Sequence, residues 1–234
     1  MLLNEKESSY RMNIENNTPV GKIAAKYPLA TRVFARYKID FCCGGGVALE
    51  VVCQKKNLDT QVVIDALNSE INEAKTASDS WEDRSAKALI EHILATFHRP
   101  LDEELPRLAM MANKVHSVHG EKDGALGDLA AVVNALKSEL ESHMAKEEEI
   151  LFPAILRGDD VQADGPISEM LQEHDDAGDA LKKIRSLTND FTLRPDACNT
   201  WRALWHGLEA LESDMHQHIH LENNILFPNA YQRG

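Results

Sequence analysis

His143 and Glu147 stand four residues apart in the stretch HMAKEEEILFP (143–153), and His218 and Glu222 stand four apart in HIHLENNILFP (218–228). The second stretch follows 75 positions after the first and repeats Ile-Leu-Phe-Pro residue for residue. Residues four apart on an α-helix share a face, so each pair aims an imidazole and a carboxylate in one direction. That direction is apolar. His143 continues the line of Leu136, Leu140 and Ile150, and His218 that of Leu211, Met215, Leu221 and Ile225. A nearly equal offset of 76 carries His98, on a face with Leu94, Leu101 and Leu105, onto His174, beside Ile167, Met170, Leu171 and Leu181. Four imidazoles and two carboxylates therefore converge on one interior, where unpaired carboxylates are costly and repel each other. Cations remove both penalties. Six nitrogen and oxygen ligands without a thiolate suit a pair of iron or manganese ions, with Glu147 and Glu222 each able to bridge them. The order is His-x-x-x-Glu rather than the Glu-x-x-His commoner in carboxylate-rich di-iron bundles. So few ligands per ion leave coordination positions open for a small molecule.

A lone buried histidine is more often a hydrogen-bonded structural group than a ligand, and an isolated HxxxE is as often a surface pair. Duplication of the whole arrangement on apolar faces favours metal. The remaining histidines lack that support: His92, His116, His119, His206, His216 and His220 are read as surface or structural. Glu148 and Glu149 are read as solvated surface charge, and Ile150 as part of a dry wall closing one end of the site.

Holding these groups requires long helices. Four amphipathic helical patterns fill residues 81–234, broken at GEKDGALGD, RGDDVQADGP and NDFTLRPDA. The first carries Ile90, Leu94, Phe97, Leu101, Leu105 and Leu108, and tolerates Pro100 and Pro106 only with kinking. The second spans about 128 to 156, Pro166 opens the third, and Trp201 lies near the start of the fourth. Four helices joined by short turns are the pattern of an up-down bundle, formed here by two related hairpins. Ahead of it, residues 1–16 form a tail, 17–73 a small helical domain and 74–80 (AKTASDS) a polar linker. In the small domain Thr18 is the expected N-cap and Pro19 the first helical residue. DFCCGGG breaks its helical patterns. The fold class is all-α.

A net charge of −13 argues against nucleic acid and anionic membranes as partners. Without a long apolar run or a signal-peptide block near the start, the expectation is a cytoplasmic protein. The four cysteines, Cys42, Cys43, Cys53 and Cys198, form no CxxC pair and suggest no disulfide framework. Cys42 and Cys43 read equally well as a reactive or metal-handling thiol pair, with pKa lowered at the next helix's N-terminus, or as one buried cysteine and one incidental one.

DFCCGGG followed by SHMAKEEEILFP, GPISEMLQEHDDAGD and HIHLENNILFP resembles, from Thr18 to Pro228, the bacterial repair-of-iron-centres di-iron proteins. The resemblance implies a small N-terminal domain with a cysteine pair, followed by a hemerythrin-like four-helix bundle. That bundle would hold two non-haem iron ions on His98, His143, Glu147, His174, His218 and Glu222. It implies repair of iron–sulfur clusters after nitrosative or oxidative damage, with a thiol role for Cys42 and Cys43. The expected partners are damaged iron–sulfur proteins, nitric oxide or oxygen, and an electron donor; a homodimer is compatible with it. Reduction of nitric oxide, or hemerythrin-like binding or sensing of oxygen or nitric oxide, are the alternatives. Gly46 and His220 depart from the family pattern.

Overall fold

The computed structural model describes residues 14–73, 81, 84–159, 161 and 165–231. The linker expected at 74–80 and most of the expected tail lie outside them. The described residues are helical without a strand, and the chain divides into two compact units, Met1–Ser80 and Trp81–Gly234.

The first unit contains α1 (Val20–Lys26), α2 (Ala30–Arg36), α3 (Leu49–Lys55) and α4 (Thr60–Glu73). They pack Val20, Ile23, Val33, Phe34, Leu49, Cys53, Val63 and Leu67 into one core. Its first helix starts one residue later than expected. Pro19, not Thr18, is the N-cap, and no side chain caps the helix. Loop carbonyls do that work instead: Val20 N–H donates to Val47 O at 3.0 Å and Gly21 N–H to Gly45 O at 2.8 Å. Two of the first-turn amides that a helix leaves unbonded are satisfied this way, and the glycine loop is tied to α1. Cys53 is core packing.

The second unit contains α5 (Ala86–Ile93), α6 (Arg99–His119), α7 (Ala125–Lys146), α8 (Phe152–Arg157), α9 (Pro166–Leu187), α10 (Asn199–Leu221) and α11 (Phe227–Tyr231). Ser85 caps α5 by accepting from Ala88 N–H at 3.2 Å, and Gly158 ends α8 in the left-handed conformation at φ 75°. Pairs α5–α6, α7–α8 and α10–α11 are each one rod interrupted by a π-helical turn, at Leu94–His98, Glu147–Leu151 and Glu222–Leu226. With α9 they make four rods. α6 packs on α7, α7 on α9, α9 on α10 and α10 on α6, the neighbour pattern of an up-down bundle.

Each π-turn ends two residues before a proline. Arg99 N–H bonds Leu94 O, Phe152 N–H bonds Glu147 O and Phe227 N–H bonds Glu222 O, and Pro100, Pro153 and Pro228 follow. A proline cannot donate to the carbonyl four residues back and its ring presses on that carbonyl. Widening the preceding turn relieves the crowding at the cost of one extra residue. That residue resets the register. Leu151 is buried and Ile150 is 61% exposed, so Ile150 does not wall the site; Ile93, fully buried, takes the inner position expected of Leu94. No described helix is long and apolar enough to cross a membrane.

Candidate metal centre

His98 comes from the end of the first π-turn, His143 from α7, Glu147 from the start of the second π-turn, His174 from α9, His218 from α10 and Glu222 from the start of the third π-turn. All six are buried, and both glutamates are fully so. Their ligand-type atoms fall into two groups whose members lie within 4.8 Å of one another: His98, Glu147, His218 and Glu222, and His143, Glu147, His174 and Glu222. The glutamates belong to both groups.

The imidazoles point Nε2 inward. Nε2 of His98 lies 3.1 Å from Nε2 of His218, and Nε2 of His174 lies 3.1 Å from Nε2 of His143. Bonds of about 2.1 Å at a right angle place neighbouring ligand nitrogens about 3.0 Å apart, so this spacing fits one cation per pair. The carboxylates fit as well. Glu147 Oε2 is 3.4 Å from Nε2 of both His98 and His143, and Glu222 Oε2 is 3.1 Å from Nε2 of His174. Those contacts are close but not aligned as hydrogen bonds, so Glu147 Oε1 and Oε2 and Glu222 Oε2 are buried with no hydrogen-bond partner. Oxygens oriented in this way suit a cation between them.

The field of the two carboxylates dominates the site. Burial opposes protonation of His143, but the nearby charges of Glu147 and Glu222 and the Glu173 hydrogen bond outweigh it and raise the imidazole to about 9. Burial likewise opposes ionisation of Glu222, yet His218 and His174 hold its carboxyl well below the usual range. Both effects mark a pocket that attracts positive charge.

Outward, the Nδ1 atoms find acceptors. His98 Nδ1 donates to Glu148 Oε1 at 3.0 Å, His143 Nδ1 to Glu173 Oε2 at 2.8 Å and His174 Nδ1 to Asn223 Oδ1 at 2.6 Å. Such bonds fix the tautomer that leaves the Nε2 lone pair free to ligate. Arg99 pairs with Glu148, and Lys146 with Glu173. Glu148 is therefore not the solvated charge expected from sequence. His218 differs: its Nδ1 is buried without a hydrogen-bond partner, and its ring stacks on Phe97 at 5.2 Å. The repeat explains the asymmetry. Glu148 and Asn223 each follow a repeat glutamate, whereas Glu173 precedes His174 where Phe97 precedes His98. Phe152 and Phe227, from the duplicated Leu-Phe-Pro, lie against His98 and His174 at 5.8 and 6.0 Å.

The other histidines fall outside both groups. His220 is buried, with Nδ1 3.1 Å from Asn224 Nδ2. His92 stacks on Trp81 at 4.2 Å, and His119 Nε2 lies 3.3 Å from Cys198 Sγ. A cavity of about 360 Å³ opens against His143 and His174, bordered by Ser138, Ser142 and Glu173.

In the first unit Cys42 is buried and Cys43 half-buried, with sulfurs 3.6 Å apart. They precede α3 by several residues rather than standing at its N-terminus. The Cys42 thiol is raised well above its ordinary pKa, by the Cys43 thiol first and then by burial and the charges of Cys43 and Asp40, so the expected lowering does not occur there.

A four-helix bundle with a buried four-histidine, two-glutamate core is the architecture of a hemerythrin-type cation-binding protein. The hemerythrin HHE cation binding domain matches residues 89–230, and a domain of unknown function (DUF542) matches residues 16–71. The chain is 44% identical to the iron-sulfur cluster repair protein YtfE of Yersinia pseudotuberculosis serotype IB, over 92% of this chain and 96% of that one. It is equally similar, over the same shares, to the protein of that name from Yersinia pestis strain Pestoides F. The chain belongs to this family of hemerythrin-domain iron–sulfur cluster repair proteins.

Proposed function

We propose that the chain repairs iron–sulfur clusters damaged by nitrosative or oxidative stress, by supplying iron from two non-haem iron ions held in the bundle. His98 and His218 would hold one ion, His143 and His174 the other, with Glu147 and Glu222 shared between them. The observation that carries this reading is the set of fully buried carboxylate oxygens, without hydrogen bonds, facing paired imidazoles. The names of the relatives support the repair assignment. Iron bound there would be both cargo and a source of single electrons.

The chain's own groups define how such a site works. Glu148, Glu173 and Asn223 hold the Nδ1 protons of His98, His143 and His174 outward. Phe97, Phe152 and Phe227 pack against the imidazoles and limit water. Damaged iron–sulfur proteins are the partners, in the cytoplasm, with Cys42 and Cys43 contributing thiol chemistry or docking.

The test is restoration of activity to a nitrosylated iron–sulfur enzyme under anaerobic conditions. Iron-loaded protein is expected to restore it and metal-free protein to leave it inactive. Equal restoration by both would reject iron supply. A second reading, binding or reduction of nitric oxide, draws on the cavity that reaches His143 and His174. Nitrous oxide released on adding nitric oxide to the reduced protein would support it, and no gas release would count against reduction.

A further inference from the structure

The first unit holds a cluster that the bundle chemistry does not use. Asp40 Oδ1 accepts from the backbone N–H groups of Cys42, Cys43 and Gly44 at 3.2, 3.1 and 3.1 Å, which fixes both the carboxylate and the turn. Cys42 Sγ lies 3.4 Å from Asp40 Oδ1 and 3.6 Å from Cys43 Sγ. The two sulfurs and a carboxylate oxygen all fall within 4.8 Å of one another. Metal–sulfur bonds of about 2.3 Å and metal–oxygen bonds of about 2.1 Å at a tetrahedral angle give edges of about 3.8 Å between sulfurs and about 3.6 Å from sulfur to oxygen. The observed separations approach those edges before any ion is considered.

We propose that Asp40, Cys42 and Cys43 form a second metal site, in the N-terminal unit, that takes a thiophilic divalent cation such as Fe²⁺ or Zn²⁺ on two thiolates and a carboxylate. Three ligands of this kind leave the fourth tetrahedral position open, the arrangement of a site that exchanges its ion rather than burying it. Cys43 and Asp40 are half-buried, which keeps the ligand face within reach of solvent. The loop is built for it. A side chain at Gly44 would come 3.3 Å from Asp40 O and 3.4 Å from its Cγ, so glycine allows the turn to close over the carboxylate. Gly46 has no neighbour within 4 Å of such a position and is not needed for that closure. Gly45 and Val47 anchor the loop to α1 through the amides of Gly21 and Val20. Charge points the same way: two thiolates beside a carboxylate repel strongly unless a cation lies between them.

This site is separate from the bundle centre, whose six groups include no sulfur, so sulfur-to-metal absorption does not report on that centre. The experiment titrates Co²⁺ into the reduced, full-length, iron-loaded protein without oxygen. One equivalent is expected to give sulfur-to-cobalt charge-transfer absorption with tetrahedral d–d bands, in the parent and in Cys198→Ser alike. The Cys42→Ser, Cys43→Ser double variant is expected to lose it. Asp40→Asn keeps an oxygen for the three amide bonds but removes the charge, and is expected to weaken binding about tenfold or more. Displacement of cobalt by Zn²⁺ and by Fe²⁺, tried separately, identifies which ion the site prefers. Absence of sulfur-to-cobalt absorption in the parent, its persistence in the double variant, or one cobalt shared between two chains would each overturn the proposal. None of those results would alter the iron content of the bundle, so the repair reading stands or falls separately.

Discussion

Removing metal from the bundle is expected to destabilise it by an amount set by its buried carboxylates. Glu147 Oε1 and Oε2 and Glu222 Oε2 have no hydrogen-bond partner within the protein. Each unsatisfied buried polar atom costs about 1–3 kcal/mol, more when charged, so three carry at least about 3 kcal/mol. For a domain of this size, each kcal/mol corresponds to about 2–4 °C in midpoint, which predicts a fall of at least about 6 °C on chelation. Scanning calorimetry of iron-loaded and chelated protein measures it. The Glu147→Leu, Glu222→Leu double variant, which lacks the orphaned oxygens, should unfold at the same temperature with and without chelator. A parent midpoint that moves by less than about 2 °C on chelation would show that the orphaned carboxylate oxygens do not destabilise the metal-free bundle. So would a double variant that retains the parent's shift.

His174→Ala is expected to remove one of the two ligand groups and leave the other, halving the iron bound per chain in metal analysis. Glu173→Ala takes away the acceptor for His143 Nδ1 and a partner of Lys146, and should weaken metal binding about 10- to 100-fold in competition with a chelator, whereas Glu173→Gln should recover most of the loss. Pro153→Ala restores an amide donor after the second π-turn and lets that turn tighten; metal affinity should fall while chelated protein gains up to about 1 kcal/mol in denaturant unfolding. Gly207→Ala places a Cβ 2.6 Å from Leu108 Cδ2 between α10 and α6, and should cost about 1–3 kcal/mol in the same assay.

The metal-type residues were legible because the chain states them twice. An isolated His98 or His174 resembles any buried histidine, but the 75- and 76-residue offsets select all six groups that the bundle brings together. Their outer partners were harder to find. Glu148 sits in a run of glutamates and reads as surface, yet it turns back to His98 because the π-turn rotates its position toward that helix. The aligned repeat contained the signal, since Glu148 and Asn223 are both acceptors one residue after a repeat glutamate. Ile150 and Leu94 were misplaced for the same reason: a 3.6-residue period does not anticipate a turn with one extra residue. The prolines at 100, 153 and 228 are the local cue. In the small unit, the start of α1 depended on loop carbonyls from Gly45 and Val47, a long-range contact that no capping rule reads from Thr18 and Pro19.

The metal centre is tested most simply by the iron content of protein purified without oxygen, beside a Glu147→Ala, Glu222→Ala variant of matched helicity. Two irons per chain are expected in the parent bundle, one for each of its ligand groups and beyond any ion on Cys42 and Cys43, with a near-complete loss of those two in the variant. A parent without iron, or a variant that keeps the parent's count, would contradict that expectation.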